Sequence, residues 1–202
     1  MRQKNREERA RQIEGAAYQM LDQKGFKGLS MQGLARAAKA SNETLYRWYG
    51  DKTGLLEALI RRNSDIVRQA LSDRTQDDAM QDLAAVGPVL LKMLLGGRAI
   101  ALNRAAAADP DGPLGRALAR EGRDAIAPRI VAVMQRGIDQ SYLGSGSAQD
   151  MAETWFSLLI GDLQVRRVTG ALSEPHDDYI TQRATLALER LRTVFPPDAG
   201  RD

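Results

Sequence analysis

Cysteine is absent from the 202-residue chain. That excludes disulfides, thiolate nucleophiles, iron–sulfur clusters and cysteine-based zinc sites. Histidine occurs once, as His176, at the start of a helical pattern where a surface position is expected. A histidine-pair metal site is therefore excluded, and histidine-based catalysis has little to work with. No apolar run approaches the ~18 residues of a membrane span. The opening residues MRQKNREERARQ are too polar for a secretory leader. A soluble, cytoplasmic protein with no membrane partner is the expectation. Walker, GxGxxG and HExxH motifs are also missing. Gly144-Ser145-Gly146-Ser147 has two glycines but no third at the required spacing and no strand before it, so it reads as a flexible linker. Asp77, Asp78 and Asp82 can be drawn as a metal cluster, but a solvated helix start is the simpler reading. An enzyme is not expected, nor a metal or cofactor; an all-α enzyme is the alternative of a different class.

The chain does contain enough apolar material for a core, with 43% hydrophobic and 27% charged residues, and its length suits one or two small domains. Charge is unevenly spread. Residues 1–62 hold 13 Lys/Arg against 7 Asp/Glu, a net of +6, whereas 63–202 hold 16 against 19, a net of −3. A basic first third fits a polyanionic partner; a short basic tail without a partner is the plainer alternative.

Every periodic segment is helical. Ile13, Ala16, Ala17, Met20 and Leu21 form one apolar stripe, which should stop near Gly25. Ser30 can cap a second helix with Met31, Leu34, Ala35 and Ala38 inward, and Ser41 a short third helix with Leu45 and Tyr49 inward. Asp51 can cap a fourth, carrying Leu55, Leu56, Leu59, Ile66 and Ala70. Further helices are expected near 78–95, kinked or interrupted at Gly87-Pro88, and near 98–108. A loop is expected over 109–113, then a long helix over 114–140 kinked or broken at Ala127-Pro128, and helices over 148–170 and 176–195. The pattern offers no strand and no internal repeat.

The second and third helices are short, and only Ala38-Lys39-Ala40-Ser41 joins them, which is helix-turn-helix spacing. Such a unit presents the start of its second helix to the DNA major groove. Asn42, Glu43, Tyr46 and Arg47 should be exposed there. An amide, a carboxylate and a guanidinium can read base edges, and a tyrosine can touch a base or a phosphate. Thr44 and Lys52 are placed for phosphates.

Residues 13–60 resemble the DNA-binding domain of the TetR/AcrR family of bacterial regulators. The similarity lies in Gly25-Phe26, Ser30-Met31, Leu34-Ala35-Arg36-Ala37-Ala38 and, most fully, the block from Ser41 to Lys52. The resemblance implies backbone contacts from Ser30, Thr44, Tyr46, Trp48 and Lys52, and base-edge positions for Asn42, Glu43 and Tyr46. Lys39 and Ser41 of the turn and Arg47 complete the candidate set. Two residues depart from the family pattern. Lys39 stands where a glycine is usual; if its backbone is left-handed it costs roughly 1 kcal/mol more than glycine, and it either adds a phosphate contact or points to solvent. Glu43 stands where a glycine is frequent. It either accepts from a cytosine amino group or is a favourable helix-start charge turned away from the bases.

The remainder resembles the C-terminal domains of one TetR subgroup through Arg116-Ala117-Leu118-Ala119-Arg120-Glu121-Gly122 and Leu158-Leu159-Ile160-Gly161-Asp162-Leu163-Gln164. The expected fold class is all-α: a helix-turn-helix domain over 1–54 and a larger helical effector-binding and dimerisation domain over 55–202. The last two helices, with the small residues Gly161, Ala184 and Ala187, are the expected homodimer bundle, or else simply close the monomer core. Met93, Asn103, Met134, Trp155, Phe156, Leu159 and Gln164 are candidate pocket residues for an unknown small-molecule effector, with plain core packing an equal reading. Asp162 and Arg166 read as a surface ion pair. The resemblance implies a repressor bound as a homodimer to a near-palindromic DNA operator and released by an effector, with helix four linking the two jobs. An activator, or a helical DNA-binding protein insensitive to ligand, are the nearer alternatives.

Overall fold

The computed structural model describes residues 2–72, 78–109 and 112–198, and among them every regular element is helical. The order is α1 (Arg2–Gly28), α2 (Met31–Ala37), α3 (Asn42–Tyr49), α4 (Lys52–Ser72), α5 (Ala79–Leu95), α6 (Gly97–Ala107) and α7 (Leu114–Leu118). A π-helical turn (Ala119–Arg123) follows, then α8 (Asp124–Asp139), α9 (Ala148–Ile160), α10 (Leu163–Thr169) and α11 (Asp177–Val194). Asp77 of the acidic trio and Pro110 and Asp111 of the expected loop lie outside the described residues. Among those described, no single helix is long and apolar enough to cross a membrane.

The chain divides into two compact units, Met1–Asn63 with Gly97–Glu121, and Ser64–Gly96 with Gly122–Asp202. This partition follows different lines from the expected 1–54 and 55–202. Leu102 and Ala105 of α6 and Leu114 and Ala117 of α7 join the same core as α1–α3, and α6 packs along α1.

In the first unit Ile13, Ala17, Met20 and Leu21 of α1 meet Met31, Leu34 and Ala35 of α2, Leu45 of α3 and Leu55, Leu56 and Leu59 of α4. The expected caps form. The Ser30 and Ser41 hydroxyls accept from the Gly33 and Thr44 amides at 3.1 Å, and Asp51 Oδ1 accepts from the Gly54 amide at 2.8 Å. Each satisfies a helix-start donor that would otherwise need water. Gly54 is required for space as well, since a Cβ there would lie 2.0 Å from the Tyr49 carbonyl oxygen.

In the second unit Leu83, Leu90 and Leu91 of α5, Ile130 and Met134 of α8, Met151, Trp155 and Leu159 of α9, and Ala184 and Leu191 of α11 form one core. Gly87 lets α5 come close to α11, because an added Cβ would stand 3.2 Å from Ala184 Cβ and 3.5 Å from the Trp155 ring.

Several sequence expectations need correction. Ile66 is 51% exposed and Val67 is the core residue. Ile60, Ser64 and Val67, all buried, follow i, i+4, i+7. The buried stripe thus moves roughly 80° round α4 from Leu59, because the later part of the helix packs in a different core. α5 runs unbroken through Pro88. α8 likewise runs through Pro128, and the irregular turn lies just upstream at 119–123. Pro128 cannot donate to the Asp124 carbonyl, so the disturbance falls on the preceding turn. The expected helix over 148–170 is two helices, ended at Gly161 with φ 50°. The segment 144–147 is held, not free: the Gly144 amide donates to the Phe195 carbonyl, and Ser145 donates to the Asp198 carboxylate at 3.1 Å.

Candidate nucleic-acid interface

The turn between α2 and α3 is built by a local hydrogen-bond pattern. The Lys39 amide donates to the Arg36 carbonyl (3.3 Å) and the Ala40 amide to the Ala35 carbonyl (2.9 Å). These are the two bonds of a Schellman helix end, which places Lys39 at its left-handed position. Its φ is 51°, so the glycine-favouring backbone anticipated at Lys39 is present and a lysine bears the strain. Lys39 is exposed.

Across that turn α3 is fixed from below and bare above. Leu45 is 0% exposed in the first-unit core, while Asn42, Glu43, Tyr46 and Arg47 are exposed, Tyr46 by 51%. One apolar anchor and an eight-residue length give a rigid platform with four polar side chains on its solvent face. Glu43 and Arg47 approach to 3.9 Å, both highly exposed; such a pair is worth only a few tenths of a kcal/mol, so both groups are cheaply redirected. Thr44 shares a 2.8 Å hydrogen bond with the Ser41 hydroxyl. Gln32, Ala35, Arg36, Ala40, Ser41 and Asn42 line an open groove beside the turn.

Lys52 and Trp48 are more engaged than sequence suggests. The Lys52 ammonium donates to the Phe26 carbonyl at 2.5 Å and lies 3.8 Å from the Phe26 ring centroid. Burial pushes its pKa down, against the opposing effect of Asp109. One of its three donors is used, so it fastens the start of α4 to the end of α1 with donors to spare. Trp48 is half-buried, and the Arg6 guanidinium lies 5.4 Å from its ring centroid. Arg9 reaches the turn itself and donates to the Lys39 carbonyl. Neither arginine was a sequence candidate, because both precede the apolar stripe that defines the first helix. The only signal was the basic excess of that segment.

Under the surface lies a polar cluster. Glu14 Oε1 accepts from Arg62 at 2.9 Å, and burial raises its carboxyl above the usual range despite that partner. The Tyr18 hydroxyl donates to the Leu59 carbonyl at 3.3 Å, and burial pushes its pKa up as well. The Tyr49 hydroxyl is buried with no hydrogen-bond partner, and desolvation raises its pKa to about 12.

The candidate effector residues lie elsewhere and differ in kind. Met134, Trp155 and Leu159 are fully buried in the second-unit core, with Met93 and Phe156 half-buried against it. The Trp155 and Phe156 rings are 5.4 Å apart. The Trp155 indole nitrogen has no acceptor. Gln164 Nε2 donates to the Leu94 carbonyl at a long 3.4 Å. Asn103 belongs to the first unit, and its amide donates to the Ala99 carbonyl of its own helix at 2.9 Å. Ala184 and Ala187 are buried in the second unit's own core rather than left for a partner, and Gly161 sits in the break after α9. Asp162 and Arg166 form an exposed pair at 4.0 Å. Asp78 caps α5 and Asp82 pairs with Arg136, so these two acids serve structure.

Known proteins agree with this geometry. Residues 13–59 match the family model described as bacterial regulatory proteins, tetR family. The HTH-type transcriptional regulator YvkB of Bacillus subtilis is 33% identical over 84 residues, which span 42% of this chain and 44% of that protein. The fold matches the fatty acid degradation regulator FadR from Bacillus halodurans with a TM-score of 0.71 at 16% identity, over 91% of this chain and 96% of that one. It also matches a TetR transcriptional regulator from Agrobacterium tumefaciens with a TM-score of 0.70 and 31% identity, over 94% of this chain and 95% of that one. With a helix-turn-helix of this geometry and near end-to-end similarity at that identity, the chain belongs to the TetR family of transcriptional regulators and carries its DNA-binding helix-turn-helix.

Proposed function

We propose that the protein is a homodimeric repressor that reads a near-palindromic operator with α3 and leaves it when a small molecule binds. The observation that carries the reading is the exposed row of Asn42, Glu43, Tyr46 and Arg47 over the buried Leu45. Arg47, Tyr46 and Asn42 supply donors for base edges, and Ser30, Lys39, Ser41, Thr44, Trp48 and Lys52 supply backbone contacts around them. Glu43 pairs with Arg47 in the free chain and turns to a cytosine amino group or away from the duplex. The division of labour is DNA binding by the segment to residue 54 and effector binding with dimerisation by the rest.

One helix-turn-helix reads too few base pairs for genome-scale selectivity, so a twofold pair is favoured, with reading helices one helical turn apart. The outer faces of α9 and α11 are the dimer surfaces in this reading. The effector site is the core around Met93, Met134, Trp155, Phe156, Leu159 and Gln164, where the unpaired indole N–H of Trp155 offers a hydrogen bond. α4 carries Lys52 at its start and the core residue Val67 near its end. An effector that favours one setting of that helix lowers operator affinity by its differential binding energy.

The test begins with selection of bound duplexes from a random pool by the full chain, followed by anisotropy titration. Loss of selectivity in the Tyr46→Ala, Lys52→Ala double variant is expected, with its fold checked by circular dichroism. Wild-type affinity in that double variant overturns the reading.

A further inference from the structure

We propose that Arg6 and Arg9, in the stretch of α1 that precedes the family-matched residues 13–59, are additional phosphate-binding residues that widen the DNA footprint of this chain. The inference rests on the DNA reading above and adds a second element to it.

The placement is specific. Arg9 donates to the carbonyl of Lys39, the strained residue of the turn, and to Gln12 Oε1 at 2.8 Å. Arg6, one helical turn earlier, lies over Trp48 near the end of α3. Two arginines of α1 thus touch two residues of the expected DNA-contact set, so a duplex seated on that set meets this part of α1. Both remain chemically available. A guanidinium has five N–H donors, and Arg9 uses two. Among the described residues neither Arg6 nor Arg9 is in an ion pair with a carboxylate, in contrast to Arg62 and Arg120 of the same unit. Glu7 and Glu8 stand between them in sequence. At roughly 100° per residue, however, they fall on other sides of the helix from the Arg6–Arg9 stripe. Arg9 keeps its bond to the turn while its free edge takes a phosphate oxygen, and Arg6 exchanges the Trp48 ring for a phosphate. A planar fork suits both tasks better than a lysine ammonium, but either cation releases counterions on binding.

The experiment measures affinity of the full chain for a duplex recovered by selection, across a salt series, for wild type, R6Q/R9Q and R6K/R9K. The expected result is a slope of log affinity against log salt reduced by about two units in R6Q/R9Q. Its base preference should be unchanged, and R6K/R9K should restore most of the slope. An unchanged slope in R6Q/R9Q overturns the proposal, whether or not the melting temperature falls. A slope lost equally in R6K/R9K also overturns it, since the guanidinium then serves the fold and not the phosphates. Failure of the wild-type chain to select any duplex defeats the underlying DNA reading instead. Loss of selectivity in Tyr46→Ala beside an unchanged R6Q/R9Q slope defeats only this proposal.

Discussion

In the first unit the residues assigned to function stand on the surface and their neighbours make the core. In the second, most of the residues assigned to function are the core. Tyr46 and Arg47 are exposed while Leu45, just before them in sequence, is fully buried, whereas Met134, Trp155 and Leu159 are buried together. The contrast matters for experiments. On the solvent face of α3 the proposed reading residues and the core residue Leu45 are different side chains and can be changed separately, whereas Ser30, Ser41 and Lys52 also hold the fold. In the second unit, any change to a buried residue of the proposed effector site also changes packing.

The largest test of that contrast is truncation in each core. Trp155→Ala should cost about 3–5 kcal/mol and Leu45→Ala about 2–5 kcal/mol, read from urea denaturation. A Trp155→Ala cost below about 1 kcal/mol would mean that the second core is not closed around that ring. Next, Arg47→Ala should weaken specific DNA binding by about 1–3 kcal/mol while shifting unfolding by no more than about 0.5 kcal/mol. A comparable loss of stability would end the claim that reading and folding are separated on α3.

Smaller effects sharpen the account of the turn and the buried cluster. Lys39→Gly should raise stability by about 1 kcal/mol, because a left-handed position no longer holds a side chain. Its salt slope on DNA decides between the two expectations for Lys39: a reduced slope marks a phosphate contact, an unchanged slope a lysine in solvent. Tyr49→Phe removes a buried hydroxyl without a partner and should be neutral or stabilising by about 1 kcal/mol. The same tyrosine sets a pH dependence. Its ordinary pKa of 10.0 rises to about 12 in the fold, so the folded state keeps a proton that the unfolded state gives up. The stabilisation is complete below pH 10 and is lost as pH rises toward 12. Wild type should lose stability over that window faster than Tyr49→Phe in pH-dependent thermal melts; equal slopes would contradict the assignment.

The sequence was most informative where one residue type has one local job. Ser30, Ser41 and Asp51 are helix caps as read, and Leu45 and Tyr46 fall on different faces of α3, because capping and helical period act within a few residues. The left-handed backbone at Lys39 was raised only as a condition, through the family resemblance that puts a glycine there, and the φ of 51° meets it. Reading was least informative where distant elements decide. Ile66 and Val67 exchange roles because the buried stripe of α4 follows whichever core each part of the helix meets. Gly144–Ser147 has a linker composition, but Asp198, far along the chain, supplies its hydrogen bonds.

The amino-acid sequence alone determined the first four helices, the caps of α2, α3 and α4, the short connection that makes a helix-turn-helix and the polar row on α3, since each depends on contacts a few residues apart. Only the tertiary structure decided that α6 and α7 complete the first core and that Arg6 and Arg9 lie against Trp48 and the turn. It also decided that the small residues of α11 serve the chain's own packing. Those outcomes depend on which faces meet after the chain has doubled back, and helical periodicity carries no information about the partner a face will find.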